Sequence, residues 1–260
     1  MLKDGLSEKD GSVNLVKDLI HMIELFEIIL LTLCAGLAMP IGALLARIEN
    51  IRPRWLENEF RHFVIAFGGG ALLAAVALVL VPEGMEGLSI GMVVLSFSAG
   101  AISLMWLDIY LTRKKTSASQ LVAMLSDFIP EAIALGATFA SSHSVGFLLA
   151  GIIALQNLPE GFNAYRELRC STHFRSRNIV GIFTLMALLG PICGVIGFYY
   201  LAEYPALLSG IMLFSAGGIL YLIFQDIAPQ AKLEKHWIPS LGAVMGFLLG
   251  MVGAIMVGHH

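Results

Sequence analysis

The sequence predicts an all-α membrane protein of eight transmembrane helices. Three observations predict it: long stretches without charge, loops that alternate between basic and non-basic, and one glycine–proline spacing that occurs twice. Of the 260 residues, 57% are hydrophobic and 13% charged, where a soluble domain carries about a quarter charged. Residues 63–82, 87–107, 179–202 and 204–225 contain no charged side chain, and 144–161 contains only Glu160. Each stretch is close to the ~20 residues a helix needs to cross a hydrocarbon core. Lipid offers no partner for backbone N–H and C=O groups, so such stretches must be helical. The predicted spans are 22–46, 62–82, 87–111, 118–142, 144–165, 178–202, 204–228 and 237–258.

These spans leave no length for a separate soluble domain. Residues 1–21 read as a polar N-terminal tail of mixed charge, and 22–258 as the transmembrane domain. Acidic residues run into the first apolar stretch, which argues against a signal peptide. Cys34, Cys170 and Cys193 form no CxxC pair, so neither a disulfide framework nor a thiolate metal site is expected. A formal net charge of −3 points to no nucleic-acid partner.

Orientation follows from the basic residues. The loop after span 1 holds Arg47, Arg52, Arg54 and Arg61, and the loop after span 3 holds Arg113, Lys114 and Lys115. The loop after span 5 holds Arg166, Arg169, Arg175 and Arg177, and the loop after span 7 holds Lys232 and Lys235. Thirteen of the sixteen Lys and Arg thus follow odd-numbered spans, and the other three lie in the tail. Basic loops stay in the cytoplasm. Both termini are therefore expected outside it, in a multi-pass protein of an inner or plasma membrane.

Span 2 has Phe67, Gly70 and Pro82; span 7 has Phe214, Gly217 and Pro229. The offsets are the same, but the two spans are expected to run in opposite directions. That predicts an inverted repeat relating spans 1–3 to spans 6–8, an arrangement that places transporter substrate sites at the repeat interface.

The embedded charges sit mainly in spans 4 and 5. Span 4 reads Asp127, Phe128, Ile129, Pro130, Glu131, Ala132; span 5 reads Gln156, Asn157, Leu158, Pro159, Glu160, Gly161. In both, a polar residue is followed by Pro-Glu at the third and fourth positions and then by a small residue. Positions i and i+4 stack on one helix face, so Asp127 with Glu131 and Gln156 with Glu160 form two oxygen pairs. Proline removes one backbone donor and frees a carbonyl a turn earlier. A carboxylate in lipid costs ~2.5 kcal/mol or more. Protonation relieves that cost, and so does a divalent cation with oxygen ligands. Asp226 is either an exit-path residue or an interfacial one, and Asp108 reads as a local partner of nearby basic residues. Glu24 and Glu27 read as a solvated rim. No HExxH, GxGxxG or GxxxxGK[ST] pattern occurs, so an enzyme is not expected.

With these motifs the chain resembles the ZIP family of divalent metal transporters. The likeness rests on the eight spans, on Gln156 to Gly161, on Asp127 to Glu131, and on Phe214 to Tyr221 followed by Asp226 to Pro229. It implies a 3+2+3 helix arrangement with the inverted repeat, and movement of a Zn, Fe or Mn ion toward the cytoplasm. It implies a metal site of Asp127, Glu131, Gln156 and Glu160 with Asn157 beside them, and often a homodimer. Three departures stand out. Asp127 occupies a position that is usually His, Phe128 one that is usually polar, and Gly190 precedes Pro191 where Glu is usual. One ion rather than two is therefore expected, held by harder, all-oxygen ligands. The alternative reading is a metal-binding membrane sensor or scaffold without net transport.

Overall fold

The computed structural model describes residues 4–48, 54–114, 118–201, 203–232 and 237–257. Arg52, Lys115, Lys235 and the last residue of the eighth predicted span lie outside the described residues. Within those residues the chain forms helical rods and no strand, and each predicted span corresponds to one rod. The rods are α1 (Asp4–Ile48), α2 (Arg54–Ala75, extended through Val76–Leu80 and Val81–Met85) and α3 (Ile90–Lys114). Next come α4 (Ala118–Ser141) and α5 (His143–Ser171). They are followed by α6 (Ser176–Ala187, Leu189–Ile196 and Gly197–Leu201). The last two are α7 (Pro205–Leu222, Ile223–Ile227 and Ala228–Ala231) and α8 (Ile238–Val257). The segment read as a polar tail continues α1 as helix from Asp4.

Seven rods are long and apolar enough to cross a membrane. The remaining one, α4, is 24 residues long and carries Asp127, Pro130 and Glu131. The apolar stretch of α5 is 67% buried inside the protein, that of α8 28% and that of α3 11%. So α5 lies at the centre, while α3 and α8 present most of their surface outward.

The packing has a regular plan. Helix α1 packs on α5, and α4 on α6; α1 also meets α6, and α4 meets α5. On the flanks α2 pairs with α8, and α3 with α7. Links from α2 to α5 and from α4 to α7 join the flanks to the central four. Exchanging α1 with α6, α2 with α7, α3 with α8 and α4 with α5 maps these contacts onto one another. Close backbone approach sustains them, as expected where lipid supplies no hydrophobic drive between helices. Gly42 of α1 lies against the Leu158 carbonyl of α5, and Gly161 of α5 against the Met39 carbonyl of α1. Any side chain at either glycine would meet backbone that cannot move aside.

The matching offsets in α2 and α7 have a structural counterpart. A π-helical turn begins at Val76 in α2 and at Ile223 in α7, nine residues after Phe67 and Phe214 respectively. Pro82 and Pro229 follow these turns. A proline ring would clash with the carbonyl four residues earlier, at Leu78 or Gln225. Widening the turn there relieves the clash, and such single π turns are frequent at functional sites. The link from α2 to α3 turns at Gly87, whose φ of 71° is open to glycine at little cost.

Candidate metal site

The site is built where α4 and α5 meet. Both helices run unbroken through their prolines, Pro130 and Pro159. Glu131 and Gln156 are each 2% exposed; Asp127 and Glu160 are partly buried. The carboxyl of Asp127 lies within electrostatic reach of Glu160 and Glu131. Gln156 reaches across from α5, and its Nε2 donates to both oxygens of Glu131, at 2.6 and 2.7 Å. One amide thus closes over one carboxylate.

That closure leaves the other end of the amide exposed to a cost. Gln156 Oε1 is buried and has no hydrogen-bond partner among the described residues. A buried acceptor left unmade costs about 1–3 kcal/mol. A cation bound to that oxygen would remove the cost, and the donor set around it is otherwise carboxylate. Such a set suits Mg²⁺, Ca²⁺ or Mn²⁺ by ligand hardness, while the affinity order still favours Zn²⁺ over Mn²⁺. Among the described residues, no three His, Cys, Asp or Glu side chains converge tightly enough to hold an ion as they stand.

Asn157 goes elsewhere. Its Nδ2 donates to the Ala35 carbonyl of α1 at 2.9 Å, and the residue is 1% exposed. The structure therefore pairs Glu131 with Gln156, sets Asp127 and Glu160 within electrostatic reach of Glu131, and turns the amide of Asn157 toward α1. The small residue that follows each Pro-Glu pair does admit a neighbour: Ala132 is 1% exposed, and Gly161 meets α1.

A second group of acids, on α3, α5 and α7, lies toward the C-terminal end of α5. Asp226 of α7 is within electrostatic reach of Asp127 on one side and of Asp108 and Glu167 on the other. Tyr221 Oη donates to Asp108 Oδ2 at 3.0 Å. Glu167 lies beyond the apolar stretch of its span and outside the Pro-Glu motif, yet Glu160, Asn163 and Glu167 share one face of α5 by their three- and four-residue spacing. Asn163 Oδ1 is also buried without a hydrogen-bond partner among the described residues.

At the opposite end, the structure gathers residues that the sequence left separate. Glu24 Oε1 lies 3.5 Å from His143 Nε2, and its Oε2 lies 3.8 Å from His21 Nδ1. His21 lies tilted against Phe198 and edge-on to Tyr199 at the end of α6, with ring centroids 5.1 and 5.4 Å away.

No family model matches the chain. It is 24% identical to the zinc transporter ZupT of Chlorobium phaeovibrioides over 277 aligned positions, which cover 91% of this chain and 100% of that protein. The likeness to that transporter therefore extends along nearly the whole chain, well beyond the motifs of α4, α5 and α7, and with its apolar helices the protein is an integral, multi-pass membrane protein.

Proposed function

We propose that this protein carries a divalent metal ion across its membrane toward the cytoplasm, through a site between α4 and α5. Asp127, Glu131, Gln156 and Glu160 supply the oxygens, and Asn157 supports them from the α1 side. The observation that carries this reading is the Gln156–Glu131 pair, with a buried amide oxygen left over. An arriving ion takes the Glu131 oxygens from the amide nitrogen, and the amide turns to offer its own oxygen. A bound ion neutralises the carboxylates in the occupied form and protonation does so in the empty one, so both forms are tolerable in a low-dielectric bundle.

The finer parts of the reading have separate support. The repeated offsets in α2 and α7, and packing contacts that survive the exchange of halves, favour eight spans arranged 3+2+3 as an inverted repeat. The basic loops favour termini outside the cytoplasm. One ion per chain is favoured by Phe128 and Gly190, which add no ligand beside the four named. The relative's name specifies zinc. Asp127, as a carboxylate rather than an imidazole, widens acceptance toward Mn²⁺ and Fe²⁺.

Uptake of Zn²⁺ and Mn²⁺ into proteoliposomes tests the whole reading. Glu131→Ala and Glu160→Ala should each lower uptake by about 100-fold or more, since even partners outside the ligand shell cost 10–100-fold. Normal uptake by both variants rejects the site.

A further inference from the structure

Phe128 follows Asp127 on α4 and lies one turn before Glu131. It is 1% exposed. Its ring tip, Cζ, lies 2.9 Å from the point where a side chain would begin at Gly36 of α1. The same atom lies 2.9 Å from the corresponding point at Gly190 of α6. Two glycines on two helices thus form a notch that the aromatic ring fills. The notch is closed further by the Thr32 carbonyl, 2.7 Å from the same point at Gly190. Asn157, the neighbour of Gln156, hydrogen-bonds Ala35, the residue before Gly36. Ring and amide therefore lie side by side on one stretch of α1, and each is the immediate sequence neighbour of an expected site residue, Phe128 of Asp127 and Asn157 of Gln156.

That placement matters because metal ions arrive hydrated. Mg²⁺ demands near-octahedral oxygen coordination, dehydrates reluctantly and usually keeps several waters. Zn²⁺ is satisfied by about four ligands. A phenyl ring gives a retained water neither room nor a hydrogen-bond partner. The neighbouring hydrogen-bonding groups, the Asn157 Nδ2 and the Ala35 carbonyl, already bond each other.

We propose that Phe128 is a specificity-determining residue of the site: its ring, seated between Gly36 and Gly190, excludes the waters that a strongly hydrated cation retains. This selects against Mg²⁺ and for ions satisfied by the four oxygen-bearing side chains. The proposal rests on Asp127, Glu131, Gln156 and Glu160 holding the ion.

The test is competition in proteoliposomes bearing the full chain: Mn²⁺ uptake is measured against rising Mg²⁺. The readout is the ratio of the Mg²⁺ concentration that halves uptake to the Mn²⁺ concentration that gives half-maximal uptake. Both ions meet the same folded molecules, so a loss of protein does not move it. Phe128→Ala should lower this ratio about tenfold, and Phe128→Leu, which keeps the notch filled with hydrocarbon, by less than about threefold. If Phe128→Ala does not fold, Phe128→Val carries the same expectation at about threefold. A folded alanine or valine variant with the wild-type ratio overturns the role of Phe128. So does a leucine variant that shifts as far as alanine. Normal uptake by Glu131→Ala and Glu160→Ala overturns the site itself and is read separately.

Discussion

In α4 the residue after the first polar position is Phe128; in α5 it is Asn157. The two helices share the rest of their pattern, and both residues dock on the same turn of α1. Phe128 does so by shape, with its ring against Gly36. Asn157 does so by a hydrogen bond to Ala35. The difference teaches that each motif has two faces. The i and i+4 positions hold oxygens toward the partner helix, while the i+1 position fixes how the helix is rotated against α1. Only the first face was chemically obvious. The second explains why an amide beside a ligand position need not be a ligand.

The sharpest way to break this arrangement is to push α1 away from α5. Gly161→Val sets a branched side chain against the Met39 backbone. It should cost about 3 kcal/mol or more, at the top of the overpacking range. Size-exclusion of the detergent-solubilised variant should then show little folded protein. Gly181→Val is the control: nothing lies near that position, and its elution should match wild type.

Next in size is Gln156→Ala, which removes the amide that covers Glu131. Metal affinity measured by calorimetry should fall about 10–100-fold or more, since loss of a partner outside the ligand shell already costs that much and Gln156 supplies an oxygen itself. Asn157→Ala should do the reverse. It should lower stability by about 1 kcal/mol, the low end for a lost buried hydrogen bond because the Ala35 carbonyl lies within the α1 helix, and it should leave affinity within about threefold. A fall in affinity as large as that of Gln156→Ala would make Asn157 a ligand. The smallest effect is expected from Asp127→His, which exchanges a hard oxygen for an imidazole. Competition uptake should shift toward Zn²⁺ over Mn²⁺ by about threefold; an unchanged preference would remove Asp127 from the shell.

Much of this was legible in the chain itself. The edges of the rods fall within a few residues of the predicted spans except at α1, which continues to Asp4, and at the lengthened ends of α2 and α5. Those extensions are polar, and hydropathy cannot see a helix that continues past the apolar stretch. The stacking of Asp127 with Glu131 and of Gln156 with Glu160 was also readable, because helical periodicity fixes it. The bond from Gln156 to Glu131 was not, since it joins residues 25 apart through a side chain whose direction depends on where α5 sits. Nor was the grouping of His21 and His143 about Glu24, which needs α1 and α5 side by side.

The sequence by itself determined the secondary structure and the polar stripe on each of two helices. A bilayer allows only closed hydrogen-bonded helices at this length and charge, so composition sufficed. The tertiary structure alone decided which helix meets which, and therefore whether Asn157 faces an ion or α1. Apolar helices look alike to a reader of the chain. Their pairing is settled by contacts such as Gly42 on Leu158, where the fit of one backbone against another a hundred residues away makes the choice.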